Sequence, residues 1–383
     1  MHDASKLRHE HVCSARRIVI KVGTNVLAAS GTPAGGLDDS RAGGIVDQVA
    51  SLVKGGRQVA LVTSGAIGCG MSELGLKERP VRLPMSQAVA SVGQGVLMAH
   101  YERHFRRHDL HAAQVLLTHE DFDNRERYLN ACNTIHTLFE LPCVPVVNEN
   151  DTISTEEIRF GDNDRLAALI THLTRAELLV LLTSVPGLYG ERPSRGSRGR
   201  VLDVVERVDE KIESLAYDER TPLGVGGMKS KIEAARVATE AGEAVLIADG
   251  RAPDVIRRAM AGEAVGTLFL PQAGRLSSYK QWIRFTSRPR GAVQVDAGAR
   301  AALVERGKSL LPSGIIATEG GFQRGDVVRI RGPEGDEFAR GLSNYSQAEV
   351  EQIMGRQTSE IEKILGQSYY DEVIHRDNLA LVN

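Results

Sequence analysis

Between residues 17 and 270 the chain alternates short, nearly continuous apolar runs with longer stretches of helical periodicity. The runs RIVIKV, QVALVT, AAQVLLT, CVPVV, LLVLLT and AVLIA end at Val22, Thr63, Thr118, Val147, Thr183 and Ala248. Short β-branched runs without polar alternation are the pattern of strands covered on both faces of a parallel sheet. Helical patterns lie between them, at roughly 39–54, 85–107, 124–140, 163–175 and 228–241. The expected fold class is therefore α/β, an αβα sandwich around a mostly parallel sheet with right-handed crossovers. In such sheets ligands bind at the carboxyl ends of the strands, so the loops that follow the six runs carry the chemistry.

After GTLFLPQAG the pattern changes. A linker is expected at 271–290, separating the α/β domain at 15–270 from a small β-rich module at 291–370. Strands are expected in GAVQVDAG, GIIATEGG, GDVVRIRG and EFARGLSNY, interrupted by one helix at 297–306 and followed by a helical tail. The basic segment ERPSRGSRGR at 191–200 has no interleaved aromatics and reads as a surface excursion rather than a nucleic-acid patch.

Composition excludes several classes. Hydrophobic residues make up 42% and charged residues 25%, a globular balance, and the net charge of −2 provides no global field for nucleic acid or anionic membrane. Cysteines 13, 69, 132 and 143 lack metal-type spacing and any CxxC pair, so reduced, wholly or partly buried thiols are expected. No apolar run approaches the roughly 20 residues of a membrane span. The N-terminal MHDASKLRHEHVCSARR has no apolar signal core, and a cytoplasmic location is expected.

Lys21 ends the first run and is followed by Gly23 and Thr24. Glycine there lets the backbone approach a phosphate, and the lysine supplies a point charge. A packed stem with a solvated head fits Lys21 equally well. There is no GxxxxGK[ST], which excludes the common P-loop. Thr63, Ser64 and Gly65 stand at a strand-to-helix turn that suits an anion, or simply a helix cap by Ser64. LLTSVPGLYG offers apolar residues around a turn, either beside a purine or as a plain turn. Gly224, Gly226 and Gly227 open a helix whose first turn carries Lys229 and Lys231. Cations there oppose the helix dipole and point to a nearby anion, or else form a plain solvated pair.

VVNENDTISTEEIRFGDND at 146–164 crowds acids and amides behind a buried strand. Such a loop can hold a zwitterion. Asp151 and the carbonyls of Asn148 and Asn150 would accept from an ammonium, and the Asn163 amide would donate to a carboxylate. A helix cap by Asp162 or Asn163 is compatible with the same residues. A carboxylate acceptor of phosphate is already anionic at neutral pH, so positioning and charge neutralisation suffice, with no general base.

IVIKVGTNVL, LVTSGAIGCG, NRERYLNA, VVNENDTISTEEIRFGDNDRLAALI, LLTSVPGLYG and GVGGMKSKIEAA, in this order, resemble the glutamate 5-kinases of the amino acid kinase superfamily. LLPSGI, FQRGDVVRI and ARGLSNY look like the PUA domain at the end of many members. The resemblance covers nearly the whole chain after its first fifteen residues. It implies ATP-dependent phosphorylation of the side-chain carboxylate of L-glutamate to L-glutamyl 5-phosphate, the first step of proline synthesis. By the same resemblance Lys21 and Lys231 stabilise the transferring phosphoryl and Asp164 orients them. Ser64, Asp151 and Asn163 bind glutamate, with Asn148 in support. Lys21, Thr183, Ser184 and the segment Val225, Gly226, Gly227, Met228, Lys229, Ser230 and Lys231 hold ATP. Mg²⁺ is implied as an ion carried mainly by ATP, with no protein metal site. Feedback inhibition by proline, a homo-oligomer (dimer or tetramer) and delivery of the product to a glutamate-semialdehyde dehydrogenase are implied too. The chain departs from the family at Ser184, where an Asp is usual, at Pro186, where an Asp is common before GLY, and at Val225, where a Thr is common; these positions bear on the adenine and ribose contacts. Two rival readings are another carboxylate, phosphate or carbamate kinase of the superfamily, and an RNA-binding protein acting through its PUA module, where Arg324, Arg329 and Arg331 lie.

Overall fold

The structure of the protein is a computed structural model that describes residues 3–29, 36–123, 125–154, 163–191, 199–216, 227–272, 280, 283, 289–366 and 370–382. It divides into two compact units, residues 1–121 with 125–275, and residues 276–383 with 122–124. Among the described residues expected to form the linker, Ile283 is fully buried. Most of the basic 191–200 segment lies outside the described residues.

The first unit is built on one sheet of eight strands: β1 (Arg17–Val22), β2 (Gln58–Thr63), β3 (His111–Leu117), β4 (Cys143–Glu149), β5 (Leu178–Thr183), β6 (Val204–Val205), β7 (Ala244–Asp249) and β8 (Thr267–Phe269). Their spatial order is β3-β4-β2-β1-β5-β7-β8-β6. Every pairing is parallel except β7 with β8. All six residues of LLVLLT on β5 are buried, as are the last five residues of β1 and β2. This is what continuous apolar runs require once helices cover both faces. β3 differs from that expectation: all but its last residue are exposed or half-buried, because it is the edge strand. β4 runs two residues beyond Val147, so Asn148 and Glu149 end a buried strand instead of starting a loop.

The covering helices are α1 (Ala4–Arg8), α2 (Asp39–Lys54), α3 (Ala66–Glu73), α4 (Leu83–Arg106), α5 (Arg125–Leu138), α6 (Asn163–Thr174), α7 (Met228–Glu240) and α8 (Val255–Met260). α2, and α4 to α7 lie within a few residues of the expected helical segments. α1 falls in the polar N-terminus, where no helix was expected. It is held by the buried Arg8 guanidinium, which donates to the carbonyls of Val265 (2.7 Å), Gly266 (2.9 Å) and Asp203 (3.1 Å). Such long-range acceptors leave no mark in local sequence.

α3 and α4 touch through glycine. A Cβ on Gly93 would stand 1.7 Å from the Ala66 carbonyl oxygen, and one on Gly70 would stand 1.9 Å from that of Val89. Neither contact can relax by a rotamer change, because the obstacle is backbone. Gly93→Ala is therefore expected to separate the helices at a cost of about 1–3 kcal/mol. Differential scanning calorimetry should show a melting temperature several degrees lower; an unchanged value would contradict the close packing.

The second unit carries a five-stranded sheet in the order β10-β9-β11-β12-β13, from β9 (Gly291–Val295), β10 (Ile315–Glu319), β11 (Val327–Arg331), β12 (Glu337–Leu342) and β13 (Leu379–Leu381). β9 and β11 pair in parallel and the other neighbours are antiparallel. α9 (Ala297–Val304) and α10 (Gln347–Ile353) accompany it, around a core that includes Val293, Phe322, Ile330 and Ile374. The four expected strands are present; the three-residue β13 beyond the helical tail was not foreseen. Among the described residues no helix is long and apolar enough to cross a membrane.

Candidate active site

β1 is the pivot of the first sheet, with β2 on one side and β5 on the other. The chain passes from β1 to β2 on one side and later from β4 to β5 on the other, so β1 and β5 flank a topological switch point, where such sheets bind ligands at the carboxyl ends of their strands. Lys21 sits there, level with Val62 on β2 and Leu181 on β5. Only 2% of this lysine is exposed. A Cβ built on Gly23 would lie 3.7 Å from its Nζ, so bare backbone runs beside the ammonium.

Asp164 is the centre of the charged cluster. It lies in the first turn of α6 with none of its surface exposed. Its Oδ1 is 2.6 Å from Lys21 Nζ, and its Oδ2 is 2.9 Å from Lys231 Nζ. The Ser230 hydroxyl donates to the same Oδ2 at 2.9 Å. Lys231 enters from the first turn of α7, where its ammonium also reaches the Gly227 carbonyl at 3.4 Å. Residues from three separate elements thus place two buried ammonium groups on one carboxylate. A buried charge demands such pairing. The triad still carries a net positive charge at the switch point, which suits a polyanion.

A second, neutral network adjoins it. The Asn163 Nδ2 lies 2.5 Å from the Thr63 carbonyl, 2.8 Å from Asn148 Oδ1 and 3.1 Å from Ser64 Oγ. Both hydrogens of the amide are thereby committed to protein acceptors. The Asn163 amide, expected from sequence to donate to a carboxylate, meets protein acceptors in this structure. The Asn148 amide donates to Gln94 Oε1 at 2.9 Å, and the Glu149 carboxylate accepts from Ser154 Oγ at 2.6 Å. These bonds let two polar side chains end a buried strand. Ser64 is not the cap of α3; Gly65 takes that position with φ of 110°, a left-handed conformation that favours glycine. Thr63 and Tyr101 share a hydroxyl hydrogen bond of 2.7 Å, and burial pushes the Tyr101 phenol well above its ordinary value, so it stays protonated. Asp151 lies half-buried in the turn after β4, adjacent to this network in sequence.

Thr183 ends β5 and is buried; Ser184 is half-buried, and its carbonyl accepts from Arg251, whose guanidinium also pairs with Asp249 at 3.0 Å. Gly227, Met228 and the exposed Lys229 open α7. Val225, Gly226 and Asp162 lie outside the described residues. Sequence reading missed Gln94, Tyr101 and Arg251, whose partners are 54, 38 and 67 residues away. The four cysteines are free thiols; burial pushes Cys69 up to about 11, which leaves it no role as a thiolate.

In the second unit, Arg331 pairs with Glu319 at 2.6 Å and Arg329 with Glu337 at 3.5 Å, while Arg324 lies over the Tyr370 ring at 5.1 Å. Two of the three arginines that suggested RNA contact thus stand beside carboxylates of the module itself.

The amino acid kinase family profile matches residues 16–249, and the PUA domain profile matches residues 291–365. Glutamate 5-kinase of Syntrophotalea carbinolica is 47% identical over 375 residues, which is 98% of this chain and 100% of that protein. Glutamate 5-kinase of Geobacter sp. strain M21 is 46% identical over 376 residues, 98% of this chain and 100% of its own length. That of Caldanaerobacter subterraneus is 47% identical over 366 residues, 96% of this chain and 98% of its own. With a buried lysine–aspartate–lysine cluster at the strand ends and similarity along nearly its whole length, the chain belongs to the glutamate 5-kinase family of amino acid kinases and carries a PUA domain.

Proposed function

We propose that the chain transfers the γ-phosphoryl group of ATP to the side-chain carboxylate of L-glutamate, with Lys21 and Lys231 as the groups that neutralise the transferring phosphoryl. The observation that carries this reading is the pair of buried ammonium groups locked on Asp164. A glutamate carboxylate is ionised at neutral pH. One of its oxygens forms the new P–O bond while the bond from phosphorus to the β,γ-bridging oxygen breaks. The products are an acyl phosphate and ADP, and no proton has to move. The transition state spreads negative charge over the equatorial oxygens, where preorganised cations act most strongly. Asp164 serves as a positioning residue that aims both ammonium groups.

ATP is the co-substrate, with its phosphates beside Gly23 and the start of α7 and its nucleoside toward Thr183, Ser184 and the 225–231 segment. Mg²⁺ fits as an ion held through the phosphates, since Asp164 is occupied by lysines. The α-ammonium of glutamate would meet Asp151 and the carbonyl of Asn163, and Ser64 would bind the substrate beside them. An acyl phosphate hydrolyses readily, which favours a consuming enzyme close by, a glutamate-semialdehyde dehydrogenase. Proline as feedback inhibitor, a homo-oligomeric state and a cytoplasmic location complete this reading.

The test is Asp151→Ala in steady-state kinetics. The KM for glutamate should rise by about tenfold or more, with the KM for ATP little changed, because a hydrogen bond between charged groups contributes about 1.5–3 kcal/mol. Equal changes in both constants would assign Asp151 to the fold or the nucleotide instead.

A further inference from the structure

The HYERH segment of α4 places His100 and His104 four residues apart, on one face of the helix. That face meets Asp39, the first residue of α2. Asp39 Oδ1 lies 2.7 Å from His100 Nδ1 and 2.9 Å from His104 Nε2. Two imidazoles at this helical spacing plus a carboxylate from a neighbouring element form a donor set for a borderline transition metal.

We propose that Asp39, His100 and His104 form a binding site for a divalent transition metal of the Zn²⁺ class, and that the Arg103 guanidinium occupies the cation position in the metal-free chain. Arg103 stands 2.5 Å from Asp39 Oδ1 and 2.7 Å from His100 Nδ1. His100 Nδ1 therefore touches both an acceptor and a cationic donor. One ring nitrogen cannot donate to the carboxylate while accepting from the arginine. A metal ion removes this conflict, because it takes a lone pair from each of the three ligands at once. The Arg103 side chain is 58% exposed and can swing into solvent.

The geometry needs little adjustment. Tetrahedral bonds near 2.0–2.1 Å separate donor atoms by roughly 3.3 Å, so each imidazole opens from Asp39 Oδ1 by roughly half an ångström, and the three donor atoms already lie within 4.8 Å of one another. Coordination through His104 Nε2 puts the ring proton on Nδ1, which now lies 3.1 Å from Arg107 NH1. Arg107, also 58% exposed, turns away. A donor set of two nitrogens and one oxygen favours Zn²⁺, Ni²⁺ or Cu²⁺ over Mg²⁺. The site is separate from the phosphoryl-transfer residues, but α4 also carries Gln94 and Tyr101, so a bound metal would fasten α2 to the helix that supports Asn148 and Thr63.

Isothermal titration of tag-free full-length protein with Zn²⁺, without nucleotide, tests the proposal. Wild type should take up one ion per chain, and Mg²⁺ should give no heat from this site. His100→Ala should weaken Zn²⁺ binding by about tenfold or more. Arg103→Ala should tighten it severalfold by removing the resident cation. Both variants should retain Mg-ATP-dependent kinase activity, which confirms that they fold. Absence of Zn²⁺ uptake by wild type, or equal affinity in wild type and His100→Ala, would overturn the site. Weaker binding in Arg103→Ala would overturn the role given to the arginine.

Discussion

Asp164→Asn is expected to lower turnover by about a hundredfold or more, and to lower the melting temperature of the nucleotide-free chain. Asparagine keeps the shape but removes the carboxylate charge that Lys21 Nζ and Lys231 Nζ share, at 2.6 and 2.9 Å. Two nearly buried ammonium groups would then face each other across a neutral amide. Breaking a buried pair by removing one partner costs about 3–5 kcal/mol. The lysines can escape that cost only by reorienting or losing protons, and either change removes charge from the transferring phosphoryl. A hundredfold loss corresponds to about 2.7 kcal/mol of lost transition-state stabilisation. Rapid-quench or coupled assays of kcat, run beside a thermal melt, check both effects. Wild-type turnover in this variant would show that the lysines need no carboxylate to aim them.

Lys231→Ala separates catalysis from folding. Asp164 retains Lys21 and the Ser230 hydroxyl, so no buried charge is left without a partner. Stability should change little. Turnover should fall by at least tenfold and by up to about a thousandfold, the range seen when one preorganised donor to developing charge is deleted. The KM for glutamate should stay close to wild type, because this lysine acts on phosphate oxygens. Unchanged kcat would remove Lys231 from the phosphoryl-transfer machinery.

Much of the catalytic frame was legible in sequence because its strands are buried on both faces. RIVIKV, QVALVT and LLVLLT end at Val22, Thr63 and Thr183 as their apolar runs do, since a buried strand has nowhere to place a polar residue until it reaches the edge. That same logic failed at β4. Asn148 and Glu149 extend the strand because Gln94 and Ser154 satisfy their side chains, and hydrogen bonds to α4 and the following turn cannot be read locally. β3 was misjudged in burial because an apolar run does not reveal whether its strand is central or at an edge.

The charged cluster was legible in part. Two lysines in the first turn of a helix signalled an anion, and in this structure Lys231 meets Asp164, an internal one. The direction of the Asn163 amide was not legible. Its two hydrogens are fixed by the Thr63 carbonyl and Asn148 Oδ1, and these acceptors converge only when β2, β4 and α6 are assembled. The Asp39–His100–His104 junction shows the same limit: His100 and His104 share a helix, but their carboxylate comes from a helix about sixty residues earlier.

The most direct test of phosphoryl transfer to a carboxylate is hydroxylamine trapping. Protein, Mg-ATP and L-glutamate would be incubated with hydroxylamine, with hydroxamate and ADP quantified together, beside reactions containing L-aspartate, N-acetyl-L-glutamate or no acceptor. Hydroxamate is expected in equal amount to ADP with L-glutamate, and neither product above background with the other acceptors. ADP formed without hydroxamate, or hydroxamate formed equally well with N-acetyl-L-glutamate, would contradict a site built to phosphorylate the side-chain carboxylate of a free amino acid.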